Sequence, residues 1–414
     1  NMYDFLIIGG GAIGCALARE LSRRGASVVV AERENDVCAE ERHVTALICA
    51  ARAFGKNAPV LAAYAATGEK MFRAYSAALG IPYRKTGCLA KCADGRAERM
   101  IADCRRYGVR YEERKGAFGE RELFFPDAGV ADGCAAVYAM RENAATCGAA
   151  FEFGFAVTGV ESRADGVTVH SSDGRELTAR YAVNCAGSGG GRVARAAGDL
   201  IYLRHAAEDI VVSRGAEADV PFFTDDAVVL PMRGACVVAV EGEDMARNAP
   251  VVRDCSKRAA ELLELSGLSG SDMRPNAVTR TYSEGGDIIV RQGPTKCVTH
   301  ILGAGSAGLT VAPAIAVAFA SSYPLGAPKQ TIPAQSHVRV RTLSVAERNA
   351  LARRRGDYAE IVCTSPFITY GEIADAVRSG AKDLRGIERR LLDEGESGGA
   401  AFAEAAYRAL GGAK

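Results

Sequence analysis

The sequence predicts an α/β fold: a doubly wound sheet carrying an inserted antiparallel-β domain, followed by a small helical C-terminal domain. Three observations predict it. "YDFLIIGGGAIGCALARELSRRGASVVVAE", residues 3–32, reads strand, glycine turn, helix, strand. "RYAVNCAGSGG" at 180–190 and "THILGAGSAGLTVAPAIA" at 299–316 each take an apolar strand into a glycine turn. Residues 208–240 are rich in β-branched runs, whereas the segment beyond Pro324–Pro333 is rich in Arg, Glu and Ala with helical spacing.

Each element has a local cause. The run ending at Gly9 is apolar throughout, as a strand buried on both faces requires. The helix after it stops at Gly25, and "ASVVVAE" is β-branched. Residues 58–80 have amphipathic helical spacing. Residues 165–187 read as a hairpin turning at Asp173-Gly174, then a buried strand. Residues 255–265 are helical in pattern.

The 414 residues are enough for two to three domains with a large core. Hydrophobic residues make up 48% and charged residues 24%, the balance of a globular protein. A net charge of +1 gives no electrostatic reason to expect nucleic acid or an anionic membrane as partner. No apolar run reaches about 18 residues, so no spanning helix is expected. The first residues enter a strand without a signal-peptide layout, which points to the cytoplasm. Thirteen cysteines, an odd number without a CxxC pair, read as reduced, mostly buried thiols. Cys88 and Cys92, four apart, have no convincing metal spacing, and no metal site is expected.

Gly9-x-Gly11-x-x-Gly14 lies between strand and helix, with Glu32 ending the next strand. Such glycines let the backbone turn tightly and approach a pyrophosphate, and the helix N-terminus adds free N–H groups. Glu32 can accept hydrogen bonds from both ribose hydroxyls and would repel a 2′-phosphate. Ala12, Ile13 and Arg33 complete the expected contacts of this Rossmann-like unit. Gly187, and Gly303, Gly305, Gly308, Leu309 and Thr310, supply glycine turns much later in the chain. A nucleotide fold completed by such remote segments suits the long FAD molecule better than NAD.

Residues 3–32, 180–198 and 298–318 resemble the D-amino-acid-oxidase-type FAD-dependent oxidoreductases. They are most similar to bacterial glycerol-3-phosphate dehydrogenase and L-2-hydroxyglutarate oxidase-like proteins. "NCAGSGGGRVARAAG" resembles the family stretch N-A-A-G-x-x-x-x-x-V-A-x-x-A-G, and "SAGLTVAPAIA" resembles S-P-G-L-T-x-A-P-A-I-A. The resemblance implies an FAD-binding domain from 1–75, 142–195 and 295–322. It implies a substrate domain from 76–141 and 196–294, and a helical C-terminal domain at 335–414. It implies hydride transfer from a small polar substrate to the flavin. A catalytically degenerate flavoprotein serving as a partner or scaffold subunit is the alternative.

The same resemblance suggests what has changed. Many members end in a domain similar to the bacterioferritin-associated ferredoxin, with a [2Fe–2S] cluster held by four cysteines. Here "IVCTSPFITYGEI" keeps Cys363 but has Ser365 at the second ligand place, and Ser397 and Phe402 fall at the later pair. Cluster loss is expected, because thiolates hold the iron. In "AEERHVTALICAA" (39–51), Cys49 stands at the family's flavin-side histidine, or Ala50 in a register shifted by one. Cys49 reads as a buried packing residue and His43 as a loop residue beside Glu40, Glu41 and Arg42. Arg274-Pro275 matches an Arg-Pro pair whose arginine grips an anionic substrate, and Arg204 is what remains of an earlier arginine site. Arg192 and Arg195 read as surface charges, Arg291 as an edge charge, and Glu208 and Asp209 as strand-entry charges.

Overall fold

The computed structural model describes residues 2–39, 45–116, 121–163, 165–215, 218–232, 235–244, 255–264, 268, 271–331, 338–393 and 396–411, with the backbone alone at 242–244, 255–256 and 271–277. His43 and its charged neighbours Glu40, Glu41 and Arg42 lie outside the described residues.

The strand Tyr3–Ile8 runs parallel to Val28–Ala31 on one side and to Glu176–Asn184 on the other. Leu6, Ile7 and Ile8 are buried, which explains their unbroken apolar run. Val28–Ala31 is followed outward by Ala150–Glu152, and Glu176–Asn184 by Val298–Leu302, all parallel. The long strand Glu176–Asn184 also pairs antiparallel with Gly166–Ser171, in the hairpin expected around Asp173-Gly174. Three remote segments thus converge on one sheet, and the carboxyl ends of its parallel strands share one edge.

A second sheet of eight strands stands over that edge. Its spine is the antiparallel set Ser271–Ser283, Leu203–Arg214, Ala235–Asp244 and Ala227–Met232. Cys88–Ala90, Arg121–Phe125 and Glu112–Lys115 extend it through the short strand Phe222–Phe223. A three-stranded sheet of Thr45–Ile48, Gly129–Asp132 and Tyr83–Lys85 shares no ladder with either among the described residues. Helix Gly133–Thr146 packs against helix Ala12–Arg23 through Arg19, whose Nε donates to Asn143 Oδ1 at 2.9 Å. Ala136, Val137, Met140 and Ala144 of the first helix are buried in the same apolar core as Ala16, Leu17 and Leu21 of the second.

Helices Pro59–Leu79 and Gly308–Ser321 touch with no room to spare. A Cβ on Gly68 would lie 1.9 Å from the Thr310 carbonyl oxygen. That contact seats the second helix with its N-terminus at the sheet edge.

The C-terminal segment forms helices Val345–Arg354, Tyr370–Arg378, Leu384–Leu391 and Gly399–Ala409, with a hairpin of Ile361–Thr364 and Phe367–Thr369. It has its own apolar cluster, including Ile368, Ile373, Ile387, Leu391 and Phe402. Phe402 is fully buried in it, and Cys363 packs at its margin. Arg390 docks the segment, its Nη1 reaching Asp36 Oδ2 at 2.5 Å with both side chains buried. Among the described residues, no helix is long and apolar enough to cross a membrane.

Candidate active site

The glycine turns meet at the carboxyl edge of the parallel sheet. They line a cavity of about 590 Å³ together with Glu32, Arg33, Cys38, Arg192 and Thr279–Thr281. That volume is ordinary for a cofactor site, about 300–1,000 Å³. Gly9 has φ +107° and its hypothetical Cβ would sit 2.6 Å from the Cys185 carbonyl oxygen, so only glycine lets the two turns approach. Gly11 starts helix Ala12–Arg23 without a side-chain cap, leaving backbone N–H groups directed at the cavity. Glu32 Oε2 accepts from the Gly10 N–H at 2.6 Å and Oε1 from the Glu34 N–H at 2.8 Å. The carboxylate therefore shapes the turn it would share with a ribose.

Not every expected contact lines the cavity. Gly9, Gly11, Ala12, Ile13, Glu32, Arg33, Gly187, Gly303, Gly305 and Gly308 do. Gly14 is buried one turn into the helix, where a Cβ would stand 1.9 Å from the Gly9 oxygen; it allows the turn to close. Thr310 is buried, with its hydroxyl donating to the Leu47 carbonyl at 3.4 Å. Leu309 lines a second, smaller cavity. Arg192, read from sequence as a surface charge, is exposed and also lines the large cavity.

The turn at 185–190 is held from below. Asn184 Nδ2 donates to the Gly190 carbonyl at 2.9 Å and lies 3.1 Å from His300 Nδ1, while Asn184 Oδ1 accepts from the Ala186 N–H. His300 is fully buried in the sheet, and burial moves its pKa down, favouring the neutral ring. Arg291 is half exposed and pairs with Asp199 at 3.0 Å, so it is tied rather than free at the strand edge.

The smaller cavity, about 90 Å³, adjoins the first through Ala12, Gly305, Gly308 and Arg280. Leu47, Val228, Leu230 and Ala239 give it apolar walls, and Arg52, Glu208 and Arg280 give it charge. Arg280 Nε lies 2.5 Å from Glu208 Oε2, and the side chains are 14% and 5% exposed. Glu208 is thus no strand-entry charge: it stands midway along Leu203–Arg214, which is paired on both sides, and is buried there. Sequence reasoning passed over Arg280. The only signal was its even spacing from Tyr282, which puts both on one face of a strand.

Of the other candidates, Arg204 and Cys49 line neither described cavity, and Arg274 is described by its backbone alone. Arg274 pairs in register with Val212, six residues from Arg280, or about 20 Å along a strand; its side chain lies outside the described residues. Arg204 is exposed, with its guanidinium 5.3 Å from the Tyr282 ring centre. Cys49 is buried in the main core, and neither described cavity is lined by it. Behind it stands Glu69, buried on helix Pro59–Leu79, whose Oε2 accepts from the Ala50 N–H at 2.7 Å.

Burial pushes the Glu69 carboxyl up to about 7 from its ordinary 4.5, against the pull of the Ala50 N–H. Below pH 4.5 Glu69 is protonated folded or unfolded, so its contribution is fully present there. As pH rises toward 7 the unfolded chain gains from ionising while the folded chain does not. Stability is lost over that window, by about 3 kcal/mol at ~1.36 kcal/mol per pH unit. Glu69→Gln keeps an acceptor for Ala50 and removes the ionisation. Urea midpoints should therefore fall from pH 5 to pH 8 in the parent and much less in the variant.

The residues present fit FAD. The cradle at Gly9 and Gly11 leaves room for a pyrophosphate, two uncapped helix N-termini meet it, and Glu32 lines the same cavity. A family model described as "FAD dependent oxidoreductase" matches residues 4–322. The chain is 23% identical over 437 residues to a glycerol 3-phosphate dehydrogenase of Caloramator mitchellensis, covering 94% of this chain and 90% of that one. Among solved structures it is similar to an L-alpha-glycerophosphate oxidase of Mycoplasma pneumoniae with FAD bound, at TM-score 0.67 and 20% identity, over 80% of this chain and 98% of that one. It is similar also to a glycine oxidase of Geobacillus kaustophilus, at TM-score 0.65 and 18% identity, over 77% and 94%.

Proposed function

We propose, from the premise that this chain belongs to the FAD dependent oxidoreductase family, that it oxidises a small anionic amine, an amino or imino acid of few carbons. The cofactor is FAD. The observation that carries the substrate reading is the Arg280–Glu208 pair in a small apolar-walled cavity that opens onto the cofactor cavity. Arg52 and Arg280 supply guanidinium groups for a carboxylate, and Glu208 supplies an acceptor for an amine N–H. The cavity of about 90 Å³ limits the substrate to a short chain.

FAD, when bound, supplies the hydride acceptor. The chain's own residues hold the anion, orient the C–H bond and exclude water. An alcohol substrate would also need its hydroxyl proton removed as the C–H bond breaks, a contribution of about 10²–10⁴-fold. Cys49 is buried away from both cavities, and His300 is locked in the sheet. An amine that binds deprotonated has no such requirement. A three-carbon phosphate is the second reading, supported by the relative that covers 94% of this chain.

Anaerobic stopped-flow mixing of the FAD-loaded protein with glycine, sarcosine, proline, 2-hydroxyglutarate and glycerol 3-phosphate tests this. Flavin bleaching by an amine above about 1 per second, with alcohols slower by 10² or more, is expected. Faster bleaching by glycerol 3-phosphate would replace the first reading with the second.

We also propose that the C-terminal segment is a ferredoxin-like unit that has lost its cluster. Cys363 lies at the margin of an apolar core whose centre includes Phe402, one of the places expected of a lost ligand. Among the described residues no group of His, Cys, Asp and Glu could hold a metal ion. Iron and acid-labile sulfide should be far below stoichiometric after anaerobic purification; near-stoichiometric values of both would refute the proposal.

A further inference from the structure

We propose that Cys38 and Cys134 form an oxidation-sensitive thiol pair that closes to a disulfide when FAD is absent and then blocks its return. Their Sγ atoms are 3.6 Å apart, though 96 positions separate them in sequence. Both residues are buried, but Cys38 also lines the large cavity beside Glu32. Bound FAD covers that wall, and without FAD a small oxidant reaches Cys38 through the cavity.

The surroundings favour reaction at this pair. Cys134 is the second residue of the 14-residue helix Gly133–Thr146, at the end where the backbone N–H groups are free. The Arg389 guanidinium acts on Cys38 and donates to the Tyr138 hydroxyl at 3.4 Å, leaving Nη2 buried without a hydrogen bond among the described residues. Asp36, held by Arg390, faces the same pocket and partly offsets this positive charge.

The reaction balances with a peroxide as oxidant. Each thiol gives up one proton and one electron, the S–S bond forms, and the peroxide O–O bond breaks to yield two waters. Closure needs the sulfurs to approach from 3.6 Å to about 2.05 Å. Cys38 has φ +62° outside any regular element, and its N–H donates to the Gly10 carbonyl at 3.3 Å. Drawing Cys38 toward Cys134 therefore pulls on the glycine turn that receives the cofactor.

The test uses the full chain with FAD bound and after FAD removal. Each is treated with hydrogen peroxide, alkylated and mapped by peptide mass spectrometry, with FAD rebinding read by fluorescence. The expected results are a Cys38–Cys134 cross-link at least tenfold faster without FAD, FAD affinity lowered at least tenfold, and recovery on reduction by dithiothreitol. Cys134→Ser should bind FAD normally and keep that affinity after peroxide. A cross-link equally fast with FAD bound, alkylatable Cys38 after peroxide, or lost affinity in Cys134→Ser would each overturn the proposal. The mapping separates this pair from Cys15 and Cys185, which also lie near the turn.

Discussion

Gly14→Ala should abolish FAD binding, with affinity falling at least 100-fold, about 2.7 kcal/mol. The added methyl would stand 1.9 Å from the Gly9 carbonyl oxygen and 3.4 Å from Ile7 Cγ2. The first contact is backbone, so no side-chain rotation relieves it. Either helix Ala12–Arg23 shifts outward or the Gly9 turn opens, and both spoil the cradle. Overpacking of this kind costs about 1–3 kcal/mol even where side chains can yield. The melting temperature should fall as well. Gly11→Ala is the control: its Cβ meets nothing within 4 Å and its φ of −80° suits alanine. That variant should keep the parent melting temperature and lose affinity only in proportion to the methyl in the cavity. Isothermal titration with FAD and thermal melts distinguish the two. Equal losses would mean that Gly14 has no special place in the turn.

Arg280→Met should destabilise the protein by about 3–5 kcal/mol, because it removes the guanidinium that pairs with the buried Glu208 carboxylate. The pair is 2.5 Å apart and mostly enclosed, so solvent does little to screen the loss. Replacing both members, Arg280→Met with Glu208→Leu, removes the carboxylate too and should recover most of the stability. The double variant then separates folding from chemistry. It should bind FAD like the parent, since neither residue belongs to the glycine cradle, although Arg280 lines part of the cofactor cavity. Its flavin should no longer be bleached by the substrate that bleaches the parent. A double variant that is reduced at the parental rate would remove Arg280 from the substrate site.

Local pattern was sufficient wherever function depends on contiguous backbone. Gly9, Gly11 and Glu32 follow each other within one strand–turn–helix–strand unit, so spacing alone reveals the cradle and the parallel sheet, whereas the choice of FAD over NAD rests on the remote turns. The remote turns at Gly187 and Gly303 were legible for the same reason. The apolar run, glycines and helix start lie side by side in the chain. That no cysteine follows Cys363 and that position 49 is a cysteine are likewise read from the sequence without coordinates.

Tertiary structure alone decided which charged side chains share a dry space. Glu208 and Arg280 are 72 residues apart on neighbouring antiparallel strands, and their meeting depends on the register of Leu203–Arg214 against Ser271–Ser283. A slip of one residue would put the two on opposite faces of the sheet. The strand that carries the Arg274-Pro275 pair also brings Arg280 to the cavity six residues further on, which no sequence motif marked. Cys38 meets Cys134 only because helix Gly133–Thr146 packs into the nucleotide-binding layer. Glu69 and Ala50 pair through the same kind of long-range packing. Hydrophobic periodicity says which face of an element is buried, but a strand's partner is chosen by the collapse of the whole chain. Burial and pairing, which give buried charges and thiols their chemistry, follow from that choice.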